Sequence, residues 1–160
     1  MAATPVVRMA DEGDRRWFYG GGTHTWKVTA EDSNGAFFLY EDELTAGKMT
    51  PWHSHADTDE AIYVLEGEVD VKVGDEERRM TTGGFWMAPR GVPHAFTVVS
   101  PIARLLSFQT PGGAQAFYWD ASEPASHAEA GPVDFDRVRS VAAATGATTV
   151  LGPPPFARTE

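Results

Sequence analysis

The sequence predicts an all-β fold, a sandwich or barrel of short strands. Three observations point there. Apolar and β-branched runs of four to eight residues recur along most of the chain. Turn chemistry separates them, as at Gly20-Gly21-Gly22, Asn34-Gly35, Gly74-Asp75 and Gly83-Gly84. Val69-Asp70-Val71-Lys72-Val73 alternates with period 2, which gives a strand one buried and one wet face.

Residues 1–14 read as a loose arm. Arg15 to Tyr19 and Thr23 to Thr29 are strand candidates, rich in aromatic and β-branched residues. Asn34-Gly35 turns the chain into Ala36 to Tyr40, a strand expected to be buried on both faces. Glu41-Asp42-Glu43 is then expected to run to solvent. Ala61 to Leu65 and Val69 to Val73 are further strands. Arg78 to Thr81 returns after a hairpin turn, and Phe85 to Ala88 reads as short and buried. Pro89-Arg90-Gly91-Val92-Pro93 is a stiff loop that leads into Ala95 to Val99. Ser100-Pro101 precedes the strand Ala103 to Phe108.

Beyond residue 112 the pattern changes. Gly113 to Trp119 suits a short helix, and Asp120 to Pro132 a surface connection. Asp134 is an N-cap for a helix from Phe135 to about Thr145. Phe135, Val138, Val141 and Ala142 share one face, and Gly146 is the stop. That helix is expected to pack outside the strands or over one mouth, in a packing role rather than as a lid. Thr148 to Leu151 could add one more strand. The division is an arm at 1–14, a β-domain at 15–112, and a helical extension and tail at 113–160.

The chemistry concentrates in Gly47 to Glu60. His53 and His55 stand at i and i+2, the spacing that puts both imidazoles on one side of a strand. Glu60 opens the next apolar run, so a hairpin would return its carboxylate beside them. His94 is a further ligand candidate. Nitrogen and carboxylate donors of this kind suit one divalent transition metal: nickel, iron, cobalt, manganese or zinc. Strand parity puts Ile62 and Val64 on the face of Glu60, and Phe96 and Val98 on that of His94. These four read as apolar cavity lining or as plain core. His24, in a strand candidate, is expected at the surface or against a partner copy. His127 lies in the connection, and neither is assigned a role.

The formal net charge of −10 argues against a nucleic-acid partner, which needs clustered Lys and Arg. Arg15-Arg16 and Arg78-Arg79 read as solvated faces, and Arg90 as the one candidate for holding a phosphate. There is no cysteine, so disulfides and thiolate ligands are excluded. That suits a cytoplasmic protein, and neither a leader nor a membrane span is legible.

Two spaced motifs carry a family resemblance. Gly47-x5-His53-x-His55-x4-Glu60-x6-Gly67 and Gly83-x5-Pro89-x-Gly91-x2-His94 resemble the paired cupin motifs at all four ligand positions. Two family positions differ: Val98 replaces a frequent Asn, and Gly84 a frequent acidic residue. The resemblance implies a double-stranded antiparallel β-barrel, the cupin jelly roll, usually as a homodimer. It implies that His53, His55, Glu60 and His94 hold one metal. Asp59 to Glu68, Ala88 to Phe96 and Thr110-Pro111-Gly112-Gly113 further resemble small bacterial quercetin 2,3-dioxygenase-like proteins.

That likeness implies a metal-dependent dioxygenase acting on a flavonol-like or other enolic aromatic substrate, with dioxygen as co-substrate. Glu60 would be ligand and general base for the enolic proton. The alternatives are a non-oxygenase metal-dependent cyclase, isomerase or lyase, or a non-enzymatic small-molecule binder. An apolar pocket would favour a flat, weakly polar aromatic ligand.

Overall fold

The structure is a computed structural model that describes residues 2–125 and 133–156. Among the described residues twelve strands form two antiparallel sheets. In chain order they are β1 (Arg15–Phe18), β2 (Thr23–Val28), β3 (Phe38–Thr45), β4 (Trp52–Ser54), β5 (Asp59–Glu66), β6 (Glu68–Val73), β7 (Glu76–Thr81), β8 (Phe85–Ala88), β9 (His94–Val98), β10 (Ile102–Thr110), β11 (Ser122–Pro124) and β12 (Thr149–Gly152). Two helices interrupt the end of the series, α1 (Gln115–Asp120) and α2 (Phe135–Thr145). The larger sheet runs β11-β1-β2-β3-β10-β5-β8, and the smaller β12-β4-β9-β6-β7. This is the all-β, double-sheet jelly roll that the sequence predicts. Among the described residues no helix is long and apolar enough to cross a membrane.

Two apolar clusters fill the interior. Leu44, Ile62, Val64 and Leu105 from the larger sheet meet Val69, Val71, Phe96 and Val98 from the smaller one. The other cluster is aromatic. Trp17, Tyr19, Trp26, Phe38 and Tyr40 pack beneath Phe117 and Tyr118 of α1, with Ala142 of α2 at its edge. Each such ring removes a large apolar area from water, so these side chains dominate the burial.

Four expectations are corrected. First, β3 does not leave the sheet at Tyr40. Pairing with β10 carries it to Thr45, so Phe38, Tyr40, Asp42 and Leu44 alternate inward. Glu41 and Glu43 point outward to Arg104 and Arg15, while Asp42 is only 6% exposed. Second, β8 is buried on one face only. It forms the sheet edge, with Trp86 and Ala88 inside and Phe85 and Met87 about half exposed. Third, the connection after α1 contains β11, which pairs with β1. The rest of that connection, residues 126–132 with His127, lies outside the described residues. Fourth, Phe135 does not share the buried face of α2. It is exposed, while Val138, Val141 and Ala142 face the aromatic cluster.

The N-terminal arm lacks regular structure but is tied down. Lys27 Nζ donates to the carbonyls of Met9, Ala10 and Glu12, and the Thr4 amide donates to Asp32. Helix α2 has the bounds its caps dictate. The Asp134 carboxylate accepts from the Arg137 amide, and Gly146 closes the helix at φ 67°.

Candidate metal centre

Three strands deliver four side chains to one point. His53 sits in β4 opposite His94 in β9, and the two form a cross-strand pair. His55 follows β4 with the same inward parity. Glu60 begins the inward face of β5, which Ile62 and Val64 continue. All four are at least nine-tenths buried. One ring nitrogen from each of His53, His55 and His94 lies within 4.8 Å of the others. Glu60 Oε2 is 3.4 Å from His55 Nε2, and Oε1 is 3.4 Å from His94 Nε2.

The other nitrogen of each ring is anchored to the backbone. Nδ1 of His53 meets the Pro51 carbonyl at 2.8 Å, that of His94 meets Val92 at 2.9 Å, and that of His55 meets Ala147 at 2.9 Å. A carbonyl oxygen only accepts, so each Nδ1 carries the proton. Each Nε2 is then a bare lone pair. The Nε2 atoms of His55 and His94 are buried with no hydrogen-bond partner among the described residues. Lone pairs and a carboxylate facing one another in a dry site repel unless a cation lies between them. The buried nitrogens of His53, His55 and His94 are therefore positioned to bind a metal ion, with the Glu60 carboxylate beside them.

The charge balance agrees. Burial pushes Glu60 up, but the facing His55 and His94 rings outweigh it and hold the carboxyl well below its ordinary range. Burial, and then His94, drives His53 down to about 4. Burial also lowers His94, yet the Glu60 carboxylate more than compensates and leaves it raised. Both the lowered Glu60 and the raised His94 report that positive charge is favoured beside this carboxylate.

Sequence reasoning missed the groups that support these ligands. Gln109 Nε2 donates to Glu60 Oε2 at 2.7 Å and to Tyr118 Oη at 2.6 Å. The Ala147 carbonyl that fixes His55 belongs to the segment after α2, and Thr148 Oγ1 lies 3.3 Å from the same Nδ1. β12 then pairs with β4. The end of the chain thus does more than pack: it orients a candidate ligand.

A cavity of about 60 Å³ opens beside the centre. His53, Glu60, Ile62 and Phe96 belong to its lining, whereas Val64 and Val98 sit in the apolar cluster. Beside Ile62 and Phe96 the lining carries polar groups that sequence reasoning did not place there. They are His24, Tyr40, Asp42, Lys48, Ser107 and Tyr118. His24 does not face the surface as expected. It is 4% exposed, and its Nε2 lies 3.0 Å from Asp42 Oδ1. Lys48 is half-buried, its Nζ donates to the Gly20 carbonyl, and burial lowers its pKa to about 8 against the attraction of Asp42. Arg90 takes no part, being in a bidentate ion pair with Asp59 near the surface.

Comparison with known proteins agrees with this geometry. Quercetin 2,3-dioxygenase of Bacillus subtilis (strain 168) is 27% identical over 134 residues, 84% of this chain. The chain spans only 40% of that protein's length. KdgF from Halomonas sp. superposes with a TM-score of 0.61 at 19% identity, covering 68% of this chain and 94% of its own. TT1209 from Thermus thermophilus superposes at 0.51 with 29% identity, covering 57% of this chain and 84% of its own. Residues 40–108, the stretch that holds all four candidate ligands, match the cupin domain, and the chain resembles small cupins of the quercetinase-like kind.

Proposed function

We propose that this protein is a metal-dependent dioxygenase acting on a small enolic ring substrate. One observation carries the reading. Three imidazoles, each held through Nδ1 by a backbone carbonyl, turn their other nitrogens toward a common point beside Glu60 and a small cavity. The likeness to a quercetin 2,3-dioxygenase supports the choice of chemistry. When bound, a redox-active divalent ion supplies Lewis acidity toward an enolic oxygen and a path for electrons to dioxygen.

The chain's own residues do the rest. Gln109 fixes the Glu60 carboxylate against the ring nitrogens. Ile62 and Phe96 wall off water, which protects a reactive carbanion from stray protons. Tyr40 and Tyr118 are kept protonated by burial, and Tyr118 Oη donates to Glu60 Oε2 at 3.4 Å.

The cavity narrows the substrate. Sites for drug-sized ligands run from about 300 Å³ upward, and this one measures about 60 Å³. A hydroxypyranone, the head of a flavonol without its aryl ring, suits it better than a whole flavonol. The test is oxygen uptake by iron-, nickel- or manganese-loaded protein with maltol and, separately, with quercetin. Uptake with maltol is expected. No uptake with any metal and either compound would remove the oxygenase reading.

The enclosed His24–Asp42 pair favours a second reading, proton-transfer chemistry without oxygen, by a lyase or isomerase. Turnover of the zinc form under nitrogen would select it. The outward stripe of Tyr63, Phe85 and Met87 supports a homodimer that covers it. Light scattering would then give twice the chain mass.

A further inference from the structure

We propose that His24, held by Asp42, is the base that takes the enolic proton of the substrate. This rests on the enolic-substrate reading above. Asp42 has both oxygens engaged: Oδ1 faces His24 Nε2 at 3.0 Å, and Oδ2 accepts from Ser107 Oγ at 2.8 Å. The carboxylate therefore holds the imidazole with its proton on Nε2. His24 Nδ1 is left buried, with a free lone pair and no hydrogen-bond partner among the described residues. The ring is stacked between Phe18 at 4.9 Å and Tyr40 at 4.4 Å, so it cannot turn to solvent. An unpartnered buried acceptor is destabilising, and a ligand hydroxyl would supply the missing partner.

Glu60 is less well placed for this task. Its Oε2 already accepts from Gln109, and both its oxygens face imidazoles of the metal centre. His24 lines the same small cavity as His53 and Glu60, so a ligand within it meets both.

The step balances within the cavity. The substrate O–H bond breaks, and its electron pair stays on the oxygen. The proton forms a new N–H bond at His24 Nδ1. The resulting imidazolium donates through Nε2 to Asp42, which makes a charge-assisted pair. The tautomer logic mirrors the metal centre. There Nδ1 is anchored and Nε2 is open; here Nε2 is anchored and Nδ1 is open.

The test uses the full chain, zinc-loaded and labelled with nitrogen-15 at histidine, titrated with maltol. The His24 ring is assigned through its contacts with Phe18 and Tyr40. Nδ1 of His24 is expected to pass from the unprotonated to the protonated position in step with saturation. If the rings of His53, His55 and His94 respond while His24 does not, the inference is overturned and the enolic-substrate reading stands. If no histidine responds, both are overturned. His24→Gln is expected to keep its zinc and weaken maltol about tenfold, the loss of one hydrogen bond to a charged group. Unchanged affinity in a zinc-bound His24→Gln protein would also overturn the proposal.

Discussion

Two groups of side chains meet at the cavity, a metal wall and a polar wall, and they are built on opposite plans. The metal wall collects its side chains from residues 53–60 and from His94, and anchors every imidazole to a backbone carbonyl. The polar wall draws His24, Lys48, Asp42, Ser107 and Tyr118 from five separate parts of the chain, and its histidine is anchored to a carboxylate. A neutral anchor leaves a neutral, lone-pair donor, which suits a cation. An ionised anchor stabilises an imidazolium, which suits a proton. The same residue type is thus set to two tasks by what holds its second nitrogen.

The sharpest break between the walls is metal content. His94→Ala should abolish stoichiometric metal, and His24→Ala should leave it in place, as read by elemental analysis after dialysis. Melting should follow. Wild type gains about 2.7 kcal/mol at a hundredfold excess of metal over Kd, and His94→Ala should gain none. Equal metal loss in both variants would merge the two walls into one unit.

The next largest effect belongs to Lys48. Burial lowers its pKa to about 8 from 10.5. Between those values the unfolded chain binds a proton that the folded chain has released. Wild-type stability attributable to this group therefore rises with pH through that window, by about 3 kcal/mol at most. Lys48→Met should lack the rise. Denaturant titrations at pH 7.5 and pH 10 should then show the difference between the two proteins moving in wild type's favour at the higher pH. Parallel curves would show that the ammonium is more hydrated than its enclosure beside Asp42 and the Gly20 carbonyl indicates.

Gln109→Leu tests a residue that touches both walls. It removes the donor to Glu60 and to Tyr118 at nearly constant volume. Partners that orient a ligand are worth about 10–100-fold in metal affinity. A loss in that range, with histidines intact, is expected from competition against a chelator.

The walls also differ in how far the sequence reveals them. His53, His55, Glu60 and His94 lie in two compact motifs; strand parity puts the first two on one side, and the resemblance to the paired cupin motifs adds Glu60 and His94. The all-β fold is legible for a local reason too, since short alternating strands and glycine turns report on local geometry. The polar wall leaves a fainter sign. Asp42 stands at inward parity with Phe38, Tyr40 and Leu44, and Gln109 with Ala103 and Leu105. A polar residue on an otherwise apolar strand face is the signal. In Glu41-Asp42-Glu43 it is hidden by outward carboxylates that pair with Arg104 and Arg15. The Ala147 carbonyl leaves no sign at all, because a backbone oxygen has no residue type.

That carbonyl yields the smallest effect and the most specific one. Gly146 ends α2 in the left-handed region, and nothing lies within 4 Å of a Cβ placed there. An added methyl group therefore meets no neighbour, and its only cost is conformational, about 1 kcal/mol. Relief of that strain would rotate the chain just where Ala147 meets His55 Nδ1. Gly146→Ala is expected to lower thermal stability slightly and also weaken metal binding severalfold. Asp134→Ala, at the other end of the same helix, should cost about 1 kcal/mol through its lost cap while metal affinity holds. Two variants of matched stability but different metal affinity would separate orientation of His55 from mere retention of the helix. Equal affinities would return the C-terminal segment to a packing role.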